Sequence, residues 1–185
     1  MIATPVRGRE IEGSWSKMSE PSPIVLCDTR EQTPLPIRAY PVEREGLPVG
    51  DYSIRGFHDW SNPAFAVERK SLNDLIGSLT FGRERFWKEL EKLRQFRFAA
   101  LVIEADRTDI EQHTYRSAAT PESVFQSLTA IMVRCNIHVV FCGDADGAAR
   151  MVESMVRQFA RKIAKDADRL HGKIVEKATR RKASA

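Results

Sequence analysis

Gly50-Asp51-Tyr52-Ser53-Ile54 and, after a polar loop, Ala64-Phe65-Ala66-Val67-Glu68-Arg69-Lys70 decide how this chain folds. Both runs alternate in character, as half-buried strands do. Pairing Tyr52 with Val67 and Ile54 with Phe65 collects the apolar side chains on one face of a hairpin. A slip of one residue would turn that set toward water, so the register is strongly favoured. The same register sets Asp51 opposite Glu68 on the other face. Lys70, two residues beyond Glu68, points the same way.

Outward from the hairpin, strands and helices alternate. Residues 24–27 form a short apolar strand, and a second short strand falls near 40–44 within a Pro-rich, charged loop. Strands over 51–56 and 64–70 are followed by helices over 72–79 and 83–96, then a buried strand over 99–104. Pro121 suits the first turn of a helix reaching about Cys135. A strand over 137–142 and a long helix from Asp144 to about Asp168 complete the order. This pattern predicts an α/β fold, and the hairpin makes the sheet mixed rather than all-parallel. Residues 1–22 hold scattered Pro, Gly and charge without periodicity and read as a disordered leader, with Met18 a second candidate start.

Composition narrows the class. The chain has 185 residues, 42% hydrophobic and 29% charged, which suits one globular domain with a tail. No apolar run approaches the roughly 18 residues of a membrane span, and the first 22 residues lack an apolar signal core. Three cysteines without CxxC spacing and four scattered histidines argue against a disulfide framework or a structural zinc site. A cytoplasmic protein is expected, nucleoid-associated or nuclear according to source. The net charge is +4, yet from Arg157 onward ten Lys and Arg stand against three Asp and Glu. The preceding chain is slightly acidic. A basic end attracts nucleic acid, or it is simply a solvated helix face.

The hairpin's polar face carries the chemistry. Two carboxylates so close repel, and a hard divalent cation held by one or two carboxylates plus waters resolves the conflict. Such a cation activates water and stabilises charge on a phosphoryl oxygen, while Lys70 orients the water or neutralises developing charge. The plain alternative is a surface Glu–Lys pair beside an Asp, worth little energetically.

Asp28-Thr29-Arg30-Glu31, Gly50-Asp51-Tyr52, Val67-Glu68-Arg69-Lys70-Ser71-Leu72-Asn73-Asp74 and Gly82-Arg83 follow one another in an order that resembles the nuclease domain of XPF-type structure-specific endonucleases, with its GD…ERKxxxD signature. The resemblance covers about residues 24–160, with Cys27-Asp28 where the family has Val-Asp. It implies a restriction-endonuclease-like mixed β-sheet flanked by helices, and cleavage of DNA near branch junctions with Mg²⁺ or Mn²⁺. It implies Asp51 and Glu68 as principal metal ligands, joined by Asp28, and Lys70 as the water-positioning lysine. Arg30, Arg69 and Glu31 would line the site, either arginine holding a scissile phosphate. Asp74 belongs to the signature, yet Ser71 three residues earlier also makes it a capping-box residue. Arg83 reads as a DNA neighbour or as a solvated arginine after a helix-start glycine.

The expected layout is thus a leader over 1–22, a nuclease domain over 23–165 and a basic tail over 166–185. Arg180, Arg181 and Lys182 are the tail's expected DNA contacts. Too few residues follow the long helix for the tandem helix-hairpin-helix module of larger relatives, so affinity would come from the tail or a partner protein. The resemblance further implies a homodimer or heteromeric nuclease partner, and no organic cofactor or membrane. The competing reading is a non-catalytic DNA-binding or scaffolding subunit, although such subunits tend to lose their acids.

Overall fold

A computed structural model describes residues 22–183, with side chains as far as residue 173. The leader expected over 1–22 therefore lies outside the described residues, apart from Ser22. Two units separate: Pro23–Val156, and a second whose described residues are Ser22 and those from Arg157 onward.

The first unit is built on a six-stranded sheet in the order β2-β1-β3-β4-β5-β6. Its strands are β1 (Val25–Asp28), β2 (Val42–Glu45), β3 (Tyr52–Ile54), β4 (Phe65–Ser71), β5 (Phe98–Glu104) and β6 (His138–Phe141). β1 runs parallel to β2 and antiparallel to β3, β3 is antiparallel to β4, and β4, β5 and β6 are parallel. The mixed sheet is the expected one. Tyr52 pairs with Val67, the register that burial of the apolar face requires.

Among the described residues the helices are α1 (Leu72–Leu79), α2 (Arg83–Leu93), α3 (Arg107–Glu111), α4 (Pro121–Cys135) and α5 (Ala145–Ala183), the last running from the first unit into the second. Helices α1 and α4 start where a side chain satisfies one of their free N–H groups, whereas α2 begins at Gly82 without a side-chain cap. Ser71 Oγ accepts the Asp74 N–H at 3.2 Å to start α1. Thr120 Oγ1 accepts the Ser123 N–H at 3.2 Å ahead of Pro121 in α4. Asn136, at φ 53°, ends α4 in the left-handed conformation that Asn tolerates. The short α3 was not anticipated from sequence; one turn is too brief to show periodicity. Leu75, Leu79, Phe86, Leu90, Leu128 and Ile131 from α1, α2 and α4 close over Ala66, Leu101 and Ile103 of the sheet, all buried. Trp60, in the hairpin loop, is 50% exposed and lies against Phe96 with ring centres 5.6 Å apart.

The last helix runs to Ala183, past the end expected near Asp168. No proline follows Pro121, and Lys162–Asp166 at 2.7 Å and Arg169–Asp166 at 3.4 Å add pairs along the helix surface. Among the described residues no helix is long and apolar enough to cross a membrane.

One glycine is required by the hairpin. Gly50 sits at φ +76°, and a Cβ added there would lie 2.9 Å from the Val67 carbonyl oxygen, a backbone atom that cannot swing away. Gly50→Ala is expected to destabilise the protein by about 1–3 kcal/mol through combined strain and clash. Urea denaturation checks this, and an unchanged midpoint would show that the turn relaxes freely.

Candidate active site

The hairpin's polar face is assembled by three strand ends. Asp51, just before β3, donates its N–H to Val67 O at 2.8 Å and accepts the Asp28 N–H on its own carbonyl at 2.8 Å. Its Oδ2 accepts the Arg69 N–H at 2.8 Å. The backbone of both neighbouring strands therefore holds it. On β4, Glu68 and Lys70 share a face, with Lys70 Nζ 2.8 Å from Glu68 Oε1. Both side chains are largely buried, 13% and 17% exposed. The Lys70 Nζ lies 5.5 Å from the Phe86 ring centre.

Burial, and then the neighbouring Glu68 charge, push the Asp51 carboxyl up from 3.8 to about 7. Burial raises Glu68 as well, against the opposing pull of Lys70. Burial works against the Lys70 ammonium, but Glu68 outweighs it and the pKa rises. Lys70 is thus a cation at neutral pH, a hydrogen-bond donor and not a base.

Asp28 behaves differently from its expected role as third ligand. It faces the same side by register, yet both carboxylate oxygens are occupied. Oδ1 accepts from Arg30 N and Nε, each at 2.7 Å, and Oδ2 from Arg30 Nη2 at 2.9 Å and Leu47 N at 2.7 Å. Burial pushes this carboxyl up, but the Arg30 and Leu47 bonds prevail and hold it below the usual value. Among the described residues no three His, Cys, Asp or Glu side chains form a metal-binding group. In this structure Asp28 anchors Arg30, while Asp51 and Glu68 are the neighbouring carboxylates of the hairpin. That arginine remains 73% exposed at the rim.

The other signature residues divide between the two faces of β4. Arg69 points away from Glu68 and grips Glu104 with Nε at 2.6 Å and Nη2 at 2.9 Å, and Glu31 with Nη1 at 3.2 Å. Neither Arg69 nor Glu31 enters the cleft. Asp74 fills both of its readings: Ser71 Oγ donates to its Oδ2 at 2.7 Å, and it lines the cleft with Asp51, Glu68 and Lys70. Arg83 lies apart, with Nη1 3.3 Å from Leu79 O and 3.4 Å from Ser127 Oγ. It also sits over the Trp87 ring at 5.9 Å. The side chains of Arg180, Arg181 and Lys182 lie outside the described ones.

The cleft has a volume of about 770 Å³, and its further lining includes Arg30, Arg85, Phe86, Glu89 and Lys92. Sequence reasoning missed Arg85, Glu89 and Lys92. Each immediately precedes a core residue of α2 (Phe86, Leu90 and Leu93), so the apolar stripe itself marked which face they share. Glu104 was also missed, because its role exists only through the β4–β5 register.

The ERCC4 domain family model matches residues 27–155. The 3'-flap repair endonuclease Xpf of Saccharolobus solfataricus is 28% identical over 114 residues, 61% of this chain and 43% of its own length. The DNA repair endonuclease XPF of Cricetulus griseus is 35% identical over 105 residues, 55% of this chain and 11% of its own. The chain thus spans less than half the length of these curated relatives. Among solved structures, XPF from Aeropyrum pernix superposes with a TM-score of 0.60 at 23% identity, covering 79% of this chain and 69% of that one. The same protein in complex with DNA gives 0.56 at 22% identity, covering 76% and 66%. These structures share the restriction-endonuclease-like fold.

A pH dependence follows from the Asp51 environment. Between pH 3.8 and about 7 the folded protein retains a proton that the unfolded chain has released. Stability contributed by this group therefore falls as pH rises through that window, and the loss is complete above it. Asp51→Asn removes the penalty while keeping an oxygen for the Arg69 N–H. Without metal, the variant is expected to exceed the parent in stability by about 1–3 kcal/mol at pH 8, with no gain at pH 4. Chemical denaturation at the two pH values checks this; a variant weaker than the parent at pH 8 contradicts it.

Proposed function

Because the chain belongs to the ERCC4 domain family, we propose that it is a metal-dependent DNA endonuclease that hydrolyses phosphodiester bonds at branched or flap DNA in repair or recombination. One observation carries the reading: the buried Asp51–Glu68 pair, with Lys70 beside it, opens into a cleft rimmed by Arg30, Arg85 and Lys92. The names of the archaeal and hamster relatives support flap cleavage and DNA repair as the setting.

The donor set fits a hard cation. Two carboxylates buried together, one of them raised to about 7, are stabilised by positive charge, and oxygen ligands suit Mg²⁺ or Mn²⁺. Asp51 and Glu68 would hold it. When bound, such a cation supplies Lewis acidity toward a phosphoryl oxygen and activation of water.

The chain's own groups do the positioning. Arg69 N–H and the paired backbone of β4 keep the Asp51 carboxylate facing Glu68. Lys70, held at Glu68 and charged, directs a donor to an attacking water or to the phosphate oxygen on which negative charge grows. Arg30, locked by two contacts from its guanidinium to Asp28 and one to Leu47 O at 2.9 Å, presents its remaining donors to a phosphate. Asp74 closes the cleft from the first turn of α1. Beyond the cleft, Arg180, Arg181 and Lys182 remain proposed phosphate contacts. Exposed Met132 and Val133 on α4 support a homodimer or heteromeric partner on that helix.

The test is cleavage of labelled flap, fork, nicked and linear DNA with Mg²⁺. Preferential cleavage of branched forms is expected. Glu68→Ala should reduce the rate at least about 100-fold, beyond the loss usual for groups that only orient a ligand. Activity undiminished in EDTA, or equal in the variant, overturns the proposal. Binding without any cleavage by the unaltered chain would instead place it among scaffolding subunits.

A further inference from the structure

Phe81 is 100% exposed, although burying a phenylalanine contributes about 1.5–3 kcal/mol. Its exposure is not that of a loose loop. Thr80 Oγ1 donates to Ile76 O at 2.7 Å, and the Gly82 N–H to Gly77 O at 2.9 Å. The Arg83 N–H reaches Thr80 O at 3.3 Å, and its guanidinium reaches Leu79 O at the same distance. Both neighbours of Phe81 are thus committed to the end of α1, which fixes the backbone from which the exposed ring projects.

Beside the ring lies a hollow of about 280 Å³, lined also by Asn73, Gly77, Thr80, Arg116 and Ser117. A Cβ at Gly77 would meet nothing within 4 Å, so the hollow is open along α1. Arg116 is exposed and has no ion pair or hydrogen bond among the described residues. The hollow is continuous in sequence with the cleft: Asn73 lines one and Asp74 the other. From Asp74 to the end of α1 at Leu79 the helix rises about 7.5 Å, with Phe81 in the turn just beyond. That is roughly two nucleotides at a stacked spacing of about 3.4 Å.

We infer that Phe81 and Arg116 form a binding site for an unpaired nucleotide of a DNA strand leaving the cleft along α1, the ring stacking on the base and the guanidinium holding a phosphate. The inference rests on the nuclease reading above. A rigidly presented aromatic face beside an unused cation is the chemistry that single-stranded nucleic acid offers to bind. Bases inside a duplex have both faces covered, so the site discriminates for a splayed strand.

The experiment measures binding in a Glu68→Ala background, with a fork carrying 2-aminopurine in its unpaired arm and with a blunt duplex. Phe81→Ala, a change at a fully exposed position, is expected to weaken fork binding roughly 5- to 150-fold. Duplex binding should be unchanged, and stacking-induced quenching of the probe should be lost. Phe81→Trp should retain both, and Arg116→Ala should lower the salt dependence by about one phosphate. Unchanged fork affinity in Phe81→Ala, an equal loss on both DNAs, or an altered oligomeric state without a change in affinity overturns the inference. A Phe81-dependent fork preference in a chain that never cleaves upholds the inference and removes the nuclease reading. Cleavage with a silent Phe81 does the reverse, and absence of any DNA binding overturns both.

Discussion

Three hydrogen bonds meet at Asp51, and the site depends on them. Its N–H is committed to β4, its carbonyl to β1, and its Oδ2 to the N–H of Arg69. A carboxylate tied in this way cannot turn away from Glu68, although burial and like charge both urge it to. The conflict persists because the hairpin register is set elsewhere, by Tyr52 against Val67 on the apolar face. Gly50 completes the constraint, since a side chain there would strike the Val67 carbonyl that receives the Asp51 N–H. Folding energy from the core therefore maintains an electrostatic conflict in the cleft, a pattern typical of functional sites.

β4 separates the tasks by its alternation. Glu68 and Lys70 face the cleft, while the residue between them braces the sheet from behind. The Glu104 hydrogen bonds, first of all, raise the already high pKa of Arg69, and Glu31 adds to them. This clamp links the ends of β4 and β5 to the loop after β1, which carries Arg30. Asp28 makes a second clamp, gathering Arg30 and the Leu47 N–H around one buried carboxylate. Two acids of the motif thus hold basic residues in place, and two others are left to face each other.

The sheet, the hairpin register and the helices were legible because apolar periodicity and caps are local signals. Pro121 and Ser71 marked helix starts that the structure reproduces to the residue. The division of the charged motif residues was not legible. Spacing placed Asp51 and Glu68 on one face and the family resemblance added Asp28, but neither could show that a turn two residues long would deliver Arg30 to Asp28. Glu104 was invisible for the same reason, since its partner lies on another strand. Phe81 carried no signal in the sequence; its full exposure beside the hydrogen-bonded end of α1 is visible only in three dimensions.

The distribution of charge also changes meaning in three dimensions. By count, the sheet-bearing part of the chain is slightly acidic, which assigned the attraction for phosphate to the C-terminal end. The acids, however, are spent unevenly. Asp28 is paired with Arg30, while Glu31 and Glu104 share the single guanidinium of Arg69. At the cleft, Arg30 and Arg85 project into solvent at 73% and 80% exposure, Arg85 only loosely paired with Glu89 at 3.6 Å. Exposed cations at a low-dielectric cleft focus the field more than their number suggests. The cleft rim and the basic sequence after Val156 are thus two separate sources of positive charge, and the proposed affinity for a phosphate backbone need not rest on the C-terminal end alone.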